Sequence, residues 1–249
     1  MIPSPRHGGV SWSAVAEPAV VALDELTRLD DLEQAVRAVA SAYDFTRHPY
    51  FTWLASPRAD RERFLRSQLP FRFAVEAFSQ ALAAVLARAP RLEIRMGLAE
   101  NVAEEHGHGD PARSHKHTFE GFLRALGADP ALLHAPCPIA VHAFNRSLLD
   151  HCLVERHEVG AVLLGIIEYL YVAISHAIAQ TIDERRWVGD GAQGHYRLHE
   201  ALDPVHARDL FALARPAWES RWLRADLAQA LVLGAHHFWR LYDELLRVE

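Results

Sequence analysis

The sequence predicts an all-α protein, folded as a single-domain bundle of about seven or more helices. Apolar residues recur at helical spacing along most of the chain, and no stretch alternates apolar and polar residues for long enough to indicate a strand. Short stretches rich in Gly, Pro and Asp separate the helical segments, and none is long enough to be a domain linker. A chain of 249 residues can bury a substantial core within one such bundle.

The predicted elements follow one another in a simple order. Residues 1–28 are expected to form a partly irregular N-terminal segment, and residues 29–249 are expected to form the helical domain. The periodicity within this domain predicts seven helical stretches, some of which can contain a kink: Leu29 to Tyr43, Asp60 to Arg88, Leu92 to Glu105, His115 to Leu126, Ile139 to Glu155, Val159 to Ile182 and Ala217 to Val248. The predicted connections include Gly107 to Pro111, Gly127 to Pro130, Pro136 to Pro138 and Val188 to Gly194.

Charge and composition exclude several classes of protein. The formal net charge of -6 provides no general positive field, so nucleic acid is not an expected partner. Half of the residues are hydrophobic and 23% are charged, which is typical of a globular protein and does not indicate a membrane protein. The first dozen residues lack the apolar core of a secretory signal, and two cysteines cannot form a disulfide framework. We therefore expect a cytoplasmic protein.

One carboxylate occurs where every neighbouring side chain is apolar, aromatic or absent. Glu168 lies within the stretch from Ala161 to Ile174, so a helix here would bury it whichever face it occupies. An ionised carboxylate that is buried without a partner costs several kcal/mol. We therefore expect Glu168 to be protonated, paired with a cation or bound to a metal, and this residue alone does not distinguish among the three.

A second candidate site is a group of polar residues that a helix would place on one face. His199, Asp203 and His206 stand at positions i, i+4 and i+7. Two imidazoles and a carboxylate form a donor set that suits iron, manganese or zinc. The alternative is a solvated helix face that carries two histidines and an acid by chance, because short motifs have frequent false matches.

A third candidate region extends from Asn101 to Gly127. It has the pattern of a helix end with acids, a glycine-containing turn and a helix start with histidines. Such a turn would let Glu105 and His115 converge, which one straight helix does not allow at a spacing of ten residues. The alternative is a histidine-rich solvated loop, and this is what we expect of the remaining histidines, His106, His108 and His117.

Together, these three segments resemble haem-oxygenase-like diiron oxidases. The first segment matches the pattern Asn-x-x-Glu-Glu-x-Gly of that family, followed by a histidine and a closing Leu-Gly. Glu168 and the His-x3-Asp-x2-His pattern that begins at His199 match the later parts of the family pattern in the same order. The sequence His48-Pro49-Tyr50 and the aromatic stretch from Pro70 to Phe78 also resemble the wider superfamily that includes pyrroloquinoline-quinone synthase and thiaminase II. The resemblance covers roughly residues 30 to 245.

The resemblance implies two irons and six protein ligands. The ligands would be Glu105, His115 and His199 for one iron, and Glu168, Asp203 and His206 for the other, with a carboxylate or solvent between the irons. Six ligands leave open coordination positions, which the activation of O₂ requires.

Relatives oxidise amino acids, amines or fatty acids by N-oxygenation, oxidative decarboxylation or carbon–carbon cleavage. The implied function is a diiron oxygenase or oxidase with O₂ as cosubstrate, and our leading substrate class is an amino acid or amine of specialised metabolism. The expected partner is this small molecule, whereas an external electron donor and a homodimer stay open.

Two features depart from the family pattern or extend it. Pro204 directly follows Asp203, so either the helix bends there, or a new helix begins at Pro204 with Asp203 as its N-cap. Glu76 is the one obvious candidate for an additional carboxylate from an earlier helix, and its sequence position does not settle whether it is a ligand.

Two alternatives to a diiron enzyme stay open at this point. A metal-free relative of the same fold, such as a cofactorless quinone-synthase-like oxidase or a thiaminase-like hydrolase, would need no ligand set. The thiaminase-like reaction would need a nucleophile such as Cys137 or Cys152, although Cys152 fits a small buried side chain better. A non-catalytic binding protein would use the aromatic residues of the last helix as an interface. We expect those residues, Trp222, Trp239 and Tyr242, to lie in the core instead.

Overall fold

Helices make up most of the chain that the computed structural model describes, which is residues 17–189, 191 and 194–248. These residues form eleven α-helices and no strand. The helices are α1 (Leu23–Leu26), α2 (Leu32–Ala42), α3 (Pro49–Ala55), α4 (Arg61–Arg88), α5 (Leu92–Glu105), α6 (His115–Ala125), α7 (Pro130–Leu133), α8 (Ile139–Val154), α9 (His157–Arg185), α10 (Gly194–Trp218) and α11 (Arg221–Leu246). The prediction of an all-α bundle is confirmed.

Local sequence determines where several helices begin. At the start of α2, the Asp31 carboxylate accepts a hydrogen bond of 2.7 Å from the Gln34 amide. At the start of α4, the Asp60 carboxylate accepts one of 2.8 Å from the Arg63 amide. These carboxylates satisfy backbone N–H groups that have no partner within the helix.

Helix α9 lies at the centre of the bundle. Its most extensive contact is with α10, and it also packs against α11, α8 and α4. Residues 158–168 of α9 are buried on every side of the helix. Two glycines allow close packing here, because Gly165 faces Phe211 of α10 and Gly234 of α11 lies against the backbone of Leu163. Polar side chains on the facing sides of α9 and α10 are therefore enclosed in the interior.

The substitution Gly234→Ala is expected to destabilise the fold. A Cβ atom at this position would lie 2.5 Å from the Leu163 carbonyl oxygen and 2.6 Å from Ile166 Cγ2, so α9 and α11 would have to separate. Overpacking of this kind costs about 1–3 kcal/mol, which equilibrium unfolding in urea measures. Gly121→Ala is the control, because a Cβ there meets nothing within 4 Å, and alanine in a helix should increase stability slightly. Unchanged stability of Gly234→Ala would contradict this packing.

The predicted helix bounds differ from the structure at short helices, at breaks and at α10, most of which lies outside the seven predicted stretches. The periodicity does not predict α1, α3 and α7, because such short helices contain too few turns to show a repeat. The predicted stretch from Ala217 to Val248 is interrupted at residues 219–220, between α10 and α11. The predicted connection from Val188 to Gly194 lies partly outside the described residues, and so do residues 1–16 of the N-terminal segment.

The aromatic residues of α11 differ in burial. Trp239 and Tyr242 lie in the core, as expected, whereas Trp222 is 90% exposed. The prediction of a core position is wrong for Trp222 because the first turn of α11 is largely exposed, and the helix enters the core only at Leu227.

Two helices, α4 and α9, are long and apolar enough to cross a membrane by length and composition alone. In the most apolar window of α9, 72% of the residues are buried inside the fold, and in that of α4 44% are buried. The core helices of globular proteins pass the same test, and a helix that is apolar all round is expected at the centre of a large core. We therefore interpret both as core helices.

Candidate metal centre

Four helices bring the six predicted ligands into the interior. Glu105 ends α5 and His115 begins α6, while Glu168 lies in the middle of α9. Helix α10 carries the other three, His199, Asp203 and His206. None of the six is more than 7% exposed, so the expected burial of Glu168 is confirmed.

The turn between α5 and α6 brings Glu105 and His115 together. Glu105 Oε1 and His115 Nδ1 lie 2.9 Å apart, although the two groups are not aligned as a hydrogen bond. Gly107 makes the turn possible, since it adopts a φ of +64° and a Cβ there would lie 2.7 Å from backbone atoms of Arg113 and Ser114. The predicted convergence of a carboxylate and an imidazole is confirmed.

A tighter group of donor atoms joins α9 and α10. One donor atom from each of Glu168, Asp203 and His206 lies within 4.8 Å of the other two. His206 Nδ1 is 3.8 Å from a carboxylate oxygen of Glu168 and 3.8 Å from one of Asp203. In the described part of the chain, Glu105, His115 and His199 do not form such a group with all donor atoms within 4.8 Å of one another. The ring centres of His115 and His199 are nevertheless only 4.6 Å apart.

Helix α10 runs unbroken through Pro204. Of the two expected alternatives, a new helix that begins at Pro204 is therefore wrong, and Asp203 is not an N-cap residue. Asp203 Oδ1 instead lies 2.8 Å from His199 Nδ1, one turn earlier on the same face. Pro204 removes one backbone donor, and the extensive packing of α10 against α9 stabilises the helix despite this loss.

Burial and repulsion raise the pKa values of two carboxyl groups at this site. The pKa of Glu168 is raised well above its usual value by burial and by the nearby carboxylates of Asp203 and Glu105. Burial also raises the pKa of Asp203 well above its usual value. Without a cation, Glu168 and Asp203 are therefore expected to share a proton, because two adjacent carboxylates resist ionising together.

The imidazoles of His199 and His115 differ in protonation state. Burial and the nearby His115 lower the pKa of His199 to about 3, so this ring is neutral, which is the form that binds metals. Burial also acts to lower the pKa of His115, but the contact with Glu105 outweighs it and raises the pKa. His115 in turn lowers the pKa of Glu105 against the opposing effect of burial. In the metal-free protein, Glu105 and His115 thus stabilise each other as an ion pair, and His115 would lose its proton on binding a metal.

Several buried polar atoms at this site have no hydrogen-bond partner among the described residues. They include His199 Nε2, His206 Nδ1, Glu168 Oε1 and Asp203 Oδ2. An unpaired buried donor or acceptor costs about 1–3 kcal/mol, and native proteins contain few of them. Carboxylate oxygens and neutral imidazole nitrogens are ligands that iron, manganese and zinc accept. The residues therefore fit a metal centre.

Glu104, the neighbour of Glu105, holds the ring of His206. Its Oε2 lies 2.5 Å from His206 Nε2, which leaves Nδ1 on the side of Glu168 and Asp203. Metal-binding imidazoles usually donate their second N–H to a carboxylate, which fixes the ring orientation. This role of Glu104 is not among those predicted from the sequence, where its one signal is the pair of adjacent acids at the end of α5.

The substitution Glu104→Gln is expected to weaken metal binding at the adjacent group by about tenfold or more. The neutral amide would hold the His206 ring less firmly than the carboxylate does. Anaerobic titration of the metal-free protein with Fe(II) or Co(II) measures the affinity. Glu100→Gln is the control, because Glu100 is an exposed acid one turn earlier on α5. Equal affinities of the two variants would show that the Glu104–His206 contact does not position a ligand.

Three further buried polar residues border the six, and the sequence reasoning does not include them as ligands. His195 lies one turn before His199 with the two ring centres 4.4 Å apart, and neither of its nitrogens has a hydrogen-bond partner in the part of the chain that the structure describes. Tyr171 of α9 lies with its ring centre 5.0 Å from that of His199, and Asn101 is buried in α5. Each stands three or four positions from a predicted ligand on its own helix, which is the spacing that could identify them.

Glu76 does not lie with the predicted ligands. Its Oε1 is 2.6 Å from Lys116 Nζ, and both side chains are nearly half exposed. The histidines expected to be bystanders are exposed as well: His106, His108 and His117. His108 forms a second close group with Glu100 and Glu104, but this group is largely exposed, and exposed acids commonly cluster without an ion.

A cavity of about 50 Å³ lies at the site. Its polar lining consists of Glu105, His115, Glu168 and His199. The rest of its lining comes from α4, α8, α9 and α11 and is aromatic or aliphatic, chiefly Phe71, Phe78, Phe144, Ile167, Tyr171 and Phe238. A space of this size exceeds that of a single water molecule, and apolar walls with a few polar groups are typical of ligand sites.

Neither cysteine lines this cavity. Cys152 is fully buried in α8, and burial raises the pKa of its thiol to about 12. Cys137 lies in the loop before α8, and burial raises its thiol pKa too. A thiol with a raised pKa is a weak nucleophile at neutral pH, so the structure does not support a cysteine nucleophile at this site.

Solved structures with the same fold include three that cover almost the whole chain. A TenA homologue from Pseudomonas syringae is 14% identical with a TM-score of 0.70, covering 94% of this chain and 99% of that one. A domain of unknown function with a haem-oxygenase-like fold from Shewanella denitrificans is 13% identical with a TM-score of 0.69, covering 91% and 93%. A CADD-like protein of unknown function from Nostoc punctiforme is 16% identical with a TM-score of 0.66, covering 90% and 98%. At these identities the likeness shows the haem-oxygenase-like fold alone.

None of the curated proteins matches the chain. The match to a family model is more specific than the likeness in fold. A family model described as iron-containing redox enzyme matches residues 64–243, a stretch that includes all six predicted ligands. Because this stretch is well over half of the chain, the protein belongs to the family of iron-containing redox enzymes.

Proposed function

We propose that the protein is a diiron oxygenase or oxidase that uses O₂ to oxidise a small molecule. One observation carries the proposal: six buried carboxylate and imidazole side chains lie together in the interior, and four of them, Glu105, His115, Glu168 and His199, line an apolar cavity. Membership of a family of iron-containing redox enzymes favours iron over the other metals that this donor set would accept.

Each protein group has a defined part in this proposal. Two bound irons would supply electrons and open coordination positions for O₂. Glu105, His115 and His199 would hold one iron, and Glu168, Asp203 and His206 the other. Three carboxylates offset most of the cationic charge, and neutral imidazoles add ligands without adding charge to the apolar interior. The aromatic walls limit the access of water to the reacting groups.

The proposal also includes the compartment, the electron donor and the oligomeric state of the enzyme. We expect it to work in the cytoplasm and to receive electrons from an external donor when the substrate does not supply them. A homodimer stays a prediction, which light scattering coupled to size-exclusion chromatography tests.

Iron uptake tests the proposal directly. The metal-free protein, reconstituted anaerobically with Fe(II), should bind about two irons per chain, the number that a two-metal site requires. Mixing with O₂ should then produce a transient change in absorbance, and protein loaded with Zn(II) should show none because zinc has no redox chemistry. A protein that binds no iron under these conditions would remove the diiron hypothesis.

A metal-free enzyme of the same fold is the second candidate, because TenA homologues are among the proteins that share the fold. It would keep full activity after treatment with a chelator, whereas a diiron enzyme would lose its activity. It would also leave the unpartnered polar atoms of His199 and His206 without an explanation.

A further inference from the structure

His195 is buried in the interior without a polar partner among the described residues. It is the second residue of α10 and is 2% exposed. Neither of its ring nitrogens forms a hydrogen bond within the described part of the chain. A buried polar group without a partner costs about 1–3 kcal/mol, and native proteins keep few of them. Both nitrogens of His195 are therefore available to bind a ligand.

His48 shows how a structural histidine is held in the same fold. It is fully buried, and its Nδ1 accepts a hydrogen bond of 3.0 Å from the Tyr50 amide. Its Nε2 lies 3.1 Å from the Trp239 carbonyl oxygen and 3.3 Å from Asp243 Oδ1. Hydrogen bonding within the fold therefore accounts for the burial of His48. It does not account for the burial of His195.

The ring of His195 lies beside two of the predicted ligands. Its centre is 4.4 Å from that of His199 and 5.9 Å from that of His115. The centres of the His115 and His199 rings are 4.6 Å apart. Three imidazoles that bind one metal ion through nitrogens at about 2.1 Å have ring centres roughly 4.5–6 Å apart. The three rings are therefore spaced as ligands of a single metal ion would be.

Binding of one metal requires these rings to turn. In the part of the chain that the structure describes, donor atoms of His115, His195 and His199 do not all lie within 4.8 Å of one another. The other rings next to His195 are those of Phe119 and Tyr196, with ring centres 4.8 and 5.3 Å away. Since His195 forms no hydrogen bond with any described residue, its ring can turn without breaking one.

Resting on the proposed function, we infer that His195 is a seventh protein ligand of the metal centre. It would bind the same iron as His115 and His199. At a rise of about 1.5 Å per residue, His195 lies roughly 12 Å before Asp203 along α10, beyond His199 and away from the other iron. A neutral imidazole adds a donor atom to the site without adding charge.

Ligation by His195 would make the two sites unequal. The first site would bind its iron through three imidazoles and the carboxylate of Glu105, whereas the second would use one imidazole and two carboxylates. Imidazole ligands suit zinc and iron, and carboxylate ligands suit manganese. We therefore expect Zn(II) to prefer the first site and Mn(II) to prefer the second.

The substitution His195→Phe tests this assignment by metal affinity. Phenylalanine keeps a ring beside Phe119 and Tyr196 and removes both nitrogens, so the metal-free variant should be at least as stable in urea as the wild type. Anaerobic calorimetric titration should show at least about tenfold weaker binding of Fe(II) and Zn(II) at one site. Binding of Mn(II) at the other site should be unchanged. His195→Leu provides the same test with a smaller side chain if the phenyl ring disturbs the packing.

NMR of the Co(II)-loaded protein counts the histidine ligands. Co(II) shifts the N–H resonances of its imidazole ligands far outside the diamagnetic range, so the wild type should show one more such resonance than His195→Phe. His237→Phe is the control, because this half-buried histidine forms a hydrogen bond of 2.8 Å with Ser147 instead. The control should change neither the affinities nor the number of resonances. Either an unchanged affinity or an unchanged number of shifted resonances in His195→Phe would overturn the inference.

Failure of this inference can be distinguished from failure of the proposed function. A wild type that binds two irons and reacts with O₂, with the same iron affinities in His195→Phe, would overturn the role of His195 and leave the diiron function in place. A wild type that binds a single metal ion, with an affinity and a shifted resonance that depend on His195, would overturn the diiron function and support the ligand assignment.

Discussion

The substitution Glu168→Gln is expected to remove iron from one of the two sites and to leave the metal-free protein at least as stable as the wild type. Glu168 is 3% exposed, and burial beside Asp203 raises its pKa, so the fold tolerates its charge poorly in the absence of a cation. Glutamine has nearly the same shape and no charge, so it removes this desolvation cost. A neutral amide is, however, a poor substitute for a carboxylate as an iron ligand.

Thermal unfolding with and without Fe(II) separates these effects. A ligand that binds only the native state stabilises it by RT ln(1 + [L]/Kd), which is about 2.7 kcal/mol at a hundredfold excess over Kd. The wild type should gain stability with Fe(II), and the Gln variant should gain clearly less and lose its O₂ consumption. Equal gains together with unchanged O₂ consumption would exclude Glu168 from the metal site.

The pH dependence of stability provides a second comparison of the wild type and Glu168→Gln, both in the metal-free form. Folding raises the pKa values of Glu168 and Asp203, so these groups keep a proton in the folded state at pH values where the unfolded chain has lost it. Their contribution to stability must therefore fall as the pH rises from about 4, the range of unperturbed carboxyl groups, through the folded-state pKa values. Glu168→Gln should show a smaller fall than the wild type over this window.

Replacing any of the three ligand histidines with alanine is expected to have the largest effect on metal affinity. His115→Ala, His199→Ala and His206→Ala should each lower affinity at the affected site by more than about a hundredfold, because losing a direct ligand should cost more than losing the group that orients it. Iron per chain after gel filtration and the rate of O₂ consumption measure the two consequences.

Exposed histidines of the same region are the matched controls. His106→Ala, His108→Ala and His117→Ala remove an imidazole within ten residues of His115, but none of these side chains is buried with the predicted ligands. They should leave iron content and O₂ consumption unchanged. If they proved essential while His206 proved dispensable, the assignment of ligands to α6 and α10 would be wrong.

The parts of the site that local sequence dictates could be predicted. Glu168 is surrounded by apolar residues in the sequence itself, so its burial follows from any helix that includes it. The turn at Gly107 brings Glu105 and His115 within 2.9 Å because a short connection with a left-handed glycine leaves few other paths for the chain. Each of these predictions depends on residues close to one another in sequence.

Features that depend on packing between distant segments could not be predicted. Glu104 and His206 are neighbours in space and far apart in sequence, and no local pattern indicates their contact. Pro204 should interrupt an isolated helix, and only the packing of α10 against α9 explains why it does not. The cavity walls likewise come from separate helices, so the sequence alone does not indicate which residues the substrate would meet.

Glu168 is also expected to lower the tendency of α9 to enter a lipid bilayer before the protein folds. The apolar window of α9 has a mean hydropathy of 1.8, high enough for the isolated helix to be a candidate for insertion into a lipid bilayer. Ionisable residues at the centre of a spanning helix oppose insertion, and a central aspartate costs about 2.5–3.5 kcal/mol. The carboxylate that we assign to iron would thus oppose insertion of α9, the more apolar of the two candidate helices among the described residues, before the bundle has formed around it.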